Sequence, residues 1–129
     1  MQTASLIKRM IVVIDDDEDM LSMMQQMLQR EGYHPIICPN GKSAMEIITQ
    51  RQPDLVLMDI HMIGLNGGDL CKEVKTNPDT AHIPIVMFSA NENIQELMKD
   101  CGADGYLNKP FELGKLQMLF KNHLEEFVF

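Results

Sequence analysis

The sequence has no tryptophan, two tyrosines and five phenylalanines, so aromatics make up only 5% of its 129 residues. Its three cysteines, Cys38, Cys71 and Cys101, are odd in number and far apart. No CxxC pair and no histidine at ligand spacing accompanies them, which argues against a zinc site or a disulfide framework. They are expected to be reduced thiols, in or near the core of a cytoplasmic protein. With 8 Gly and 6 Pro, the chain is too poor in both for a collagen-like or low-complexity sequence. Basic residues are also scarce, and the net charge is 11 − 19 = −8. Without a basic footprint, direct nucleic-acid binding and an anionic membrane surface are disfavoured. No stretch approaches the roughly 18 apolar residues of a spanning helix. The Met10–Ile14 run is too short for a signal peptide and ends in carboxylates.

The 45% hydrophobic and 23% charged fractions suit one globular domain. Chains of about 100–200 residues form single domains, so one unit over 1–129, with a core over about 9–127 and no appended output domain, is expected. The twelve methionines read as fillers of core gaps.

Five short apolar runs alternate with longer segments of helical period. The runs are Met10–Ile14, Pro35–Cys38, Leu55–Met58, Ile85–Phe88 and Tyr106–Leu107. The first, third and fourth are nearly continuous, as in parallel strands buried on both faces. Between them lie amphipathic stripes: Met20, Met24, Met27 and Leu28; Ala44, Ile47 and Ile48; Leu70 and Val74; Ile94, Leu97 and Met98. The last stripe is Leu113, Leu116, Phe120, Leu124 and Phe127. Gly32, Pro53, Pro78 and Gly102 end the first four helices. The pattern predicts a (βα)5 domain, a doubly wound α/β sheet with helices on both faces. Such sheets bind ligands beyond the carboxyl ends of their strands.

Polar groups gather at those ends. The first strand runs into Asp15 and Asp16, the third into Asp59, the fourth into Ser89 and the fifth into Asn108, Lys109 and Pro110. If the first and third strands are neighbours, about 4.8 Å apart, three carboxylates converge in one pocket. Such a cluster repels itself unless a cation compensates, and an all-oxygen donor set suits Mg2+. Asp17, Glu18 and Asp19 have a simpler explanation as a helix N-terminus. Lys109 is either a solvated lysine or a countercharge, its direction fixed if the bond to Pro110 is cis. Ser89 is either a cap or a donor to a bound oxyanion. Gly41-Lys42-Ser43 imitates the end of a P-loop, but position 36, where its first glycine belongs, is Ile36.

Taken together, Val12–Met20 (VVIDDDEDM), Leu55–Met62 (LVLMDIHM), Gly67, Ile85–Ala90 (IVMFSA) and Cys101–Phe111 (CGADGYLNKPF) resemble the receiver domain of bacterial two-component response regulators. The likeness covers nearly the whole chain, in order and at the family's spacing. Because the sequence stops at the fifth helix, it resembles the stand-alone receivers of chemotaxis and phosphorelay systems. The resemblance implies a flavodoxin-like five-stranded parallel sheet of order 2-1-3-4-5. It implies that Asp59 accepts a phosphoryl group from a sensor histidine kinase or a histidine phosphotransfer protein. Asp16 would ligate Mg2+ (Mn2+ as an alternative) directly, Asp15 mainly through water, and the main-chain carbonyl of His61 would complete the protein ligands. Ser89 and Lys109 would each bind a phosphoryl oxygen, and Tyr106 would be the switch aromatic. His61 and Asn91 would tune the lifetime of the acyl phosphate. The output would be a downstream protein target met by the face of the fourth helix, fifth strand and fifth helix, with the protein a monomer or a phosphorylation-dependent dimer.

The chain departs from the family at Ile63, where a proline is usual, and has Ser89 where threonine is commoner. Gly64 and Gly67 remain in the loop, so a changed loop shape with retained acceptance is expected. The competing possibilities are a Mg2+-dependent aspartyl-phosphate phosphohydrolase and a degenerate receiver that serves only as an interaction module. The hydrolase would need a carboxylate where His61 stands. The degenerate receiver would lack the acceptor or the lysine. The family is not one of stand-alone enzymes, although its members catalyse their own phosphorylation and dephosphorylation. The apolar Phe127-Val128-Phe129 tail has no assigned burial beyond Phe127.

Overall fold

A computed structural model of the chain describes residues 8–62, 65–90, 94–109 and 112–124. The expectations for Ile63, Gly64, Asn91, Pro110 and Phe127-Val128-Phe129 fall outside the described residues, as do those for the side chains of His61, Ile94, Leu97 and Met98.

The elements follow one another as β1 (Met10–Ile14), α1 (Glu18–Arg30), β2 (His34–Cys38), α2 (Ala44–Arg51), β3 (Leu55–Asp59), β4 (His61–Met62), β5 (Leu65–Asn66), α3 (Gly67–Thr76), β6 (Ile85–Ser89), α4 (Ile94–Cys101), β7 (Gly105–Asn108) and α5 (Leu113–Leu124). The long strands form one parallel sheet in the order β2-β1-β3-β6-β7. Counted without the short β4–β5 pair, that is 2-1-3-4-5, the flavodoxin-like order.

The continuous apolar runs follow from burial on both faces. Val12, Ile14, Val56, Met58, Ile85 and Met87 pack with Ala44 and Ile48 of α2, Leu70, Cys71 and Val74 of α3, and Cys101 of α4. The alternate residues Ile11, Val13, Leu55, Leu57, Val86 and Phe88 pack with Leu21, Met24 and Leu28 of α1 and with Leu116, Phe120 and Leu124 of α5. Successive side chains of a strand point to opposite faces, so a sheet covered twice leaves no position for a polar residue.

Local chemistry sets the helix ends. The Asp17 carboxylate accepts hydrogen bonds from the N–H groups of Asp19 and Met20 at 3.0 and 3.2 Å, capping α1. Asn66 does the same for α3 through Gly68 and Asp69. Gly32 and Gly102 follow α1 and α4 with φ of 92° and 84°, a backbone turn that costs glycine little. The Gly41–Ser43 segment is a 3-10 turn leading into α2. β2 is an edge strand, and Pro35 lies in it without breaking its pairing to β1.

Three details differ from the sequence-based expectation. Leu113 is 41% exposed, because it opens α5 one turn before the helix settles on the sheet. Leu21, outside the expected α1 stripe, is buried, while Met20 and Met27 sit at the border of the core. His61–Met62 and Leu65–Asn66 pair antiparallel, a two-residue ladder too short for any periodicity to announce.

Asp104, just before β7, ties the layers together. Its carboxylate accepts from the Ile85 N–H at 2.8 Å and from the Lys75 ammonium at 3.0 Å, and Lys75 also donates to the Ile83 carbonyl at 3.0 Å. Asp104→Ala leaves the first N–H of β6 without its acceptor. It is expected to lower unfolding free energy by about 1–2 kcal/mol, the scale of a hydrogen bond to a charged group. Lys75→Met should cost less, since the ion pair is partly solvated. Urea titration of both variants checks the order.

Candidate functional site

The parallel order brings the ends of β1 and β3 together, with Ile14 paired to Met58. Asp15, Asp16 and Asp59 follow directly. Each offers a carboxylate oxygen, and these oxygens lie within 4.8 Å of one another. Asp15 is fully buried and Asp59 is 7% exposed, whereas Asp16 faces solvent. The cluster is therefore walled on the sheet side and open on the other.

Lys109 arrives from the end of β7. Its ammonium lies 3.5 Å from Asp15 Oδ2 and 3.4 Å from Asp59 Oδ2, so two carboxylates share it nearly equally. Backbone pairing directs it there, since the Lys109 N–H donates to the Ser89 carbonyl at 2.9 Å and extends the β6–β7 ladder. The Phe88 ring lies under the ammonium at 4.9 Å, a cation–π contact that holds the charge without neutralising it. Lys109 was legible from the chain order, but this platform was not. An aromatic before a strand-terminal serine reads as core.

Three carboxylates against one ammonium leave the cluster two charges from neutrality, −3 + 1 = −2. One divalent cation closes that gap, and a purely oxygen donor set with one solvent-facing member matches a small hard ion that keeps some of its waters. Burial pushes the Asp15 carboxyl above its ordinary range. The Asp17 N–H, donating at 3.0 Å, and Lys109 pull it back, while Asp59 pushes it further up.

The loop after β3 is shaped by close contact. The Gly67 N–H donates to the Ile60 carbonyl at 2.8 Å. A Cβ at Gly67 would overlap the Asp59 carbonyl oxygen and sit 2.8 Å from Ile60 Cα. Only glycine allows α3 to start against the backbone that carries Asp59. The Ile60 N–H in turn donates to the Phe88 carbonyl at 3.2 Å.

The remaining candidates are distributed around this centre. Ser89 is 1% exposed at the end of β6, one residue beyond the Asp59–Phe88 pair. The His61 backbone lies in β4, opposite Asn66. Tyr106 is half-buried in β7, opposite Met87, and packs against the core. It also borders a groove of about 350 Å³ with Lys115, Met118, Leu119 and Asn122 of α5.

A family model for the response regulator receiver domain matches residues 11–121. The chain is 32% identical over 95 residues to the response regulator MprA of Mycolicibacterium vanbaalenii, covering 72% of this chain and 40% of that protein. It is 31% identical over 100 residues to histidine kinase P4 of Formosa agariphila, covering 76% of this chain and 7% of that protein. The chain thus spans less than half the length of these curated relatives. Among solved structures, a two-component response regulator from Clostridium difficile superposes with a TM-score of 0.82 at 26% identity, covering 92% of this chain and 98% of that chain.

Two stability measurements probe the centre. A buried carboxyl with a raised pKa favours the fold below its unfolded pKa, and that contribution is lost as pH rises through the folded value. Ionising the buried Asp15 carboxyl therefore costs stability. Asp15→Asn should raise the thermal midpoint in metal-free buffer by a few degrees, because it removes a buried ionisable group, and should shrink the further rise on adding Mg2+. Gly67→Ala should do the opposite, lowering stability by about 1–3 kcal/mol through overpacking and weakening the Mg2+ response as the Asp59 backbone shifts. Calorimetry with and without Mg2+ checks both.

Proposed function

This chain belongs to the response regulator receiver domain family of two-component signalling, and from that membership we propose that it is a phosphoryl-accepting switch with Asp59 as the acceptor. The Lys109 ammonium shared between Asp15 and Asp59 is the observation that carries this function. It sets a fixed positive charge beside a carboxylate oxygen at the mouth of an acidic cluster.

Asp59 needs no base, since a carboxylate is ionised at neutral pH. One of its oxygens attacks the phosphorus of a phospho-histidine on a sensor kinase or a phosphotransfer protein. The new O–P bond forms as the P–N bond breaks, and the departing imidazole keeps the nitrogen electron pair. The transferred group develops charge on its equatorial oxygens, and positioned cations lower the barrier. Lys109 moves from its shared position to pair with one of these oxygens, and the Ser89 hydroxyl donates to another. Asp15, Asp16, Asp59 and the His61 main-chain carbonyl would hold Mg2+, or Mn2+ in its place, which when bound supplies further neutralisation of phosphoryl charge.

The dianionic product turns a compact cluster into a bulky anion beside Ser89. A shift of Ser89 toward it frees space for Tyr106 to turn inward, which reshapes the face of α4, β7 and α5 for a downstream protein. His61 and Asn91 flank the phosphoryl group and set its lifetime against water. The partners are proteins rather than nucleic acid, the state is a monomer or a phosphorylation-dependent dimer, and the location is cytoplasmic. No helix among the described residues is long and apolar enough to cross a membrane.

Incubation with acetyl phosphate and Mg2+, followed by intact mass measurement, tests the acceptor. One base-labile phosphoryl group is expected on the native chain and none on Asp59→Asn or in the presence of chelator. Absence of an adduct from acetyl phosphate and from phospho-histidine proteins alike would overturn the proposal.

A further inference from the structure

Two of the three cysteines take no part in the phosphoryl chemistry and meet where α3 packs on the end of α4. Cys71 is in the second turn of α3 and Cys101 is the last residue of α4. The Cys71 Sγ donates to the Cys101 carbonyl at 3.6 Å, and both side chains belong to the same buried core layer. The residue after α4 also lies along α3, since a Cβ on Gly102 would sit in ordinary contact, 3.7 Å, with the Lys75 Cβ. Neither cysteine is in a disulfide. Cys38 lies elsewhere, at the end of β2, with its Sγ donating to the Asn40 carbonyl at 3.1 Å.

We propose that Cys71 and Cys101 are a dithiol modification site that hydroperoxides convert to an intramolecular disulfide, fastening the end of α4 to α3. The two cysteines have unequal access. Cys71 is 0% exposed and Cys101 is 6% exposed at a helix terminus followed by glycine. Helix ends open at low free-energy cost, so the peroxide meets Cys101 first. Burial and the adjoining Cys101 push the Cys71 thiol far above the usual range, which keeps it protonated and slow toward peroxide, so Cys71 reacts only once a sulfenic acid stands beside it.

In the first step the Cys101 sulfur gives up its proton and attacks one oxygen of hydrogen peroxide. The O–O bond breaks, the sulfur is oxidised to a sulfenic acid, and the other oxygen leaves as water with that proton. In the second step the Cys71 sulfur attacks the sulfenic sulfur. The S–S bond forms, the S–O bond breaks, and the hydroxyl leaves as a second water with the Cys71 proton. Two thiols and one peroxide thus give one disulfide and two waters. The link joins residues 30 apart in sequence, so it restricts the unfolded chain as well as the helix pair. This chemistry does not depend on phosphoryl acceptance at Asp59.

The test treats the folded chain with hydrogen peroxide and then blocks remaining thiols with N-ethylmaleimide in denaturant. Digestion without reductant should yield one linked peptide pair carrying Cys71 and Cys101, reversed by dithiothreitol, with Cys38 alkylated. The oxidised chain should melt higher than the reduced one, and amide exchange should slow at the end of α4. In Cys71→Ala, dimedone should trap Cys101 as sulfenic acid, whereas in Cys101→Ala the Cys71 thiol should stay unreacted. Recovery of Cys71 and Cys101 as free thiols, or a linkage through Cys38, would overturn the proposal, and the native-chain map decides this even if a variant folds poorly.

Discussion

The ammonium of Lys109 is shared between two carboxylates that would otherwise repel each other at the edge of a buried sheet. Much of the architecture serves to deliver it. β1 and β3 must be neighbours for Asp15 and Asp59 to converge, and β6 and β7 must be in register for Lys109 to reach them. Phe88 serves twice, as core on one sheet face and as the support under the ammonium. Register errors in any of these pairings would move the charge off its partners, and a one-residue slip would exchange the side chains packed into the two apolar layers. The same two-sided packing that stabilises the sheet therefore fixes the electrostatics of the site.

The centre is held against its own tendency to relax. Asp15 is ionisable yet fully buried, and its desolvation is only partly offset by one backbone N–H and half an ammonium. Gly67 gives up side-chain packing so that α3 can start against the Asp59 backbone. Stability given up here has to come from the two apolar layers, which contain no polar side chain without a hydrogen-bond partner among the described residues. Function at the strand ends and cohesion between the layers are thus separated in space, as in other doubly wound sheets.

Strand positions, helix stripes and the convergence of Asp15, Asp16, Asp59 and Lys109 were legible in the sequence because each leaves a local signature. Continuous aliphatic runs report two-sided burial, and abrupt polar residues after them report the strand ends. The β4–β5 ladder left no trace because two residues cannot display a period. The Phe88 platform was hidden because its meaning depends on β7 lying next to β6, a fact of topology. Leu113 fitted the stripe by spacing but not by burial, because a helix meets its sheet only after its first turn. The close approach at Gly67 was invisible for a similar reason, since its neighbour Asp59 is distant along the loop and near only once folded.

Pro35 in the outermost strand has a consequence for life at high concentration. Along β2, His34 turns its N–H toward the Arg9 carbonyl on the β1 side, and Cys38 presents its carbonyl to Asp15. Alternate residues then face outward, and the first of these is Pro35, which has no N–H to offer. A second molecule laying a strand along that border would find a missing donor at the start of the match. The β2 side of the sheet is thereby a poorer template for a further strand.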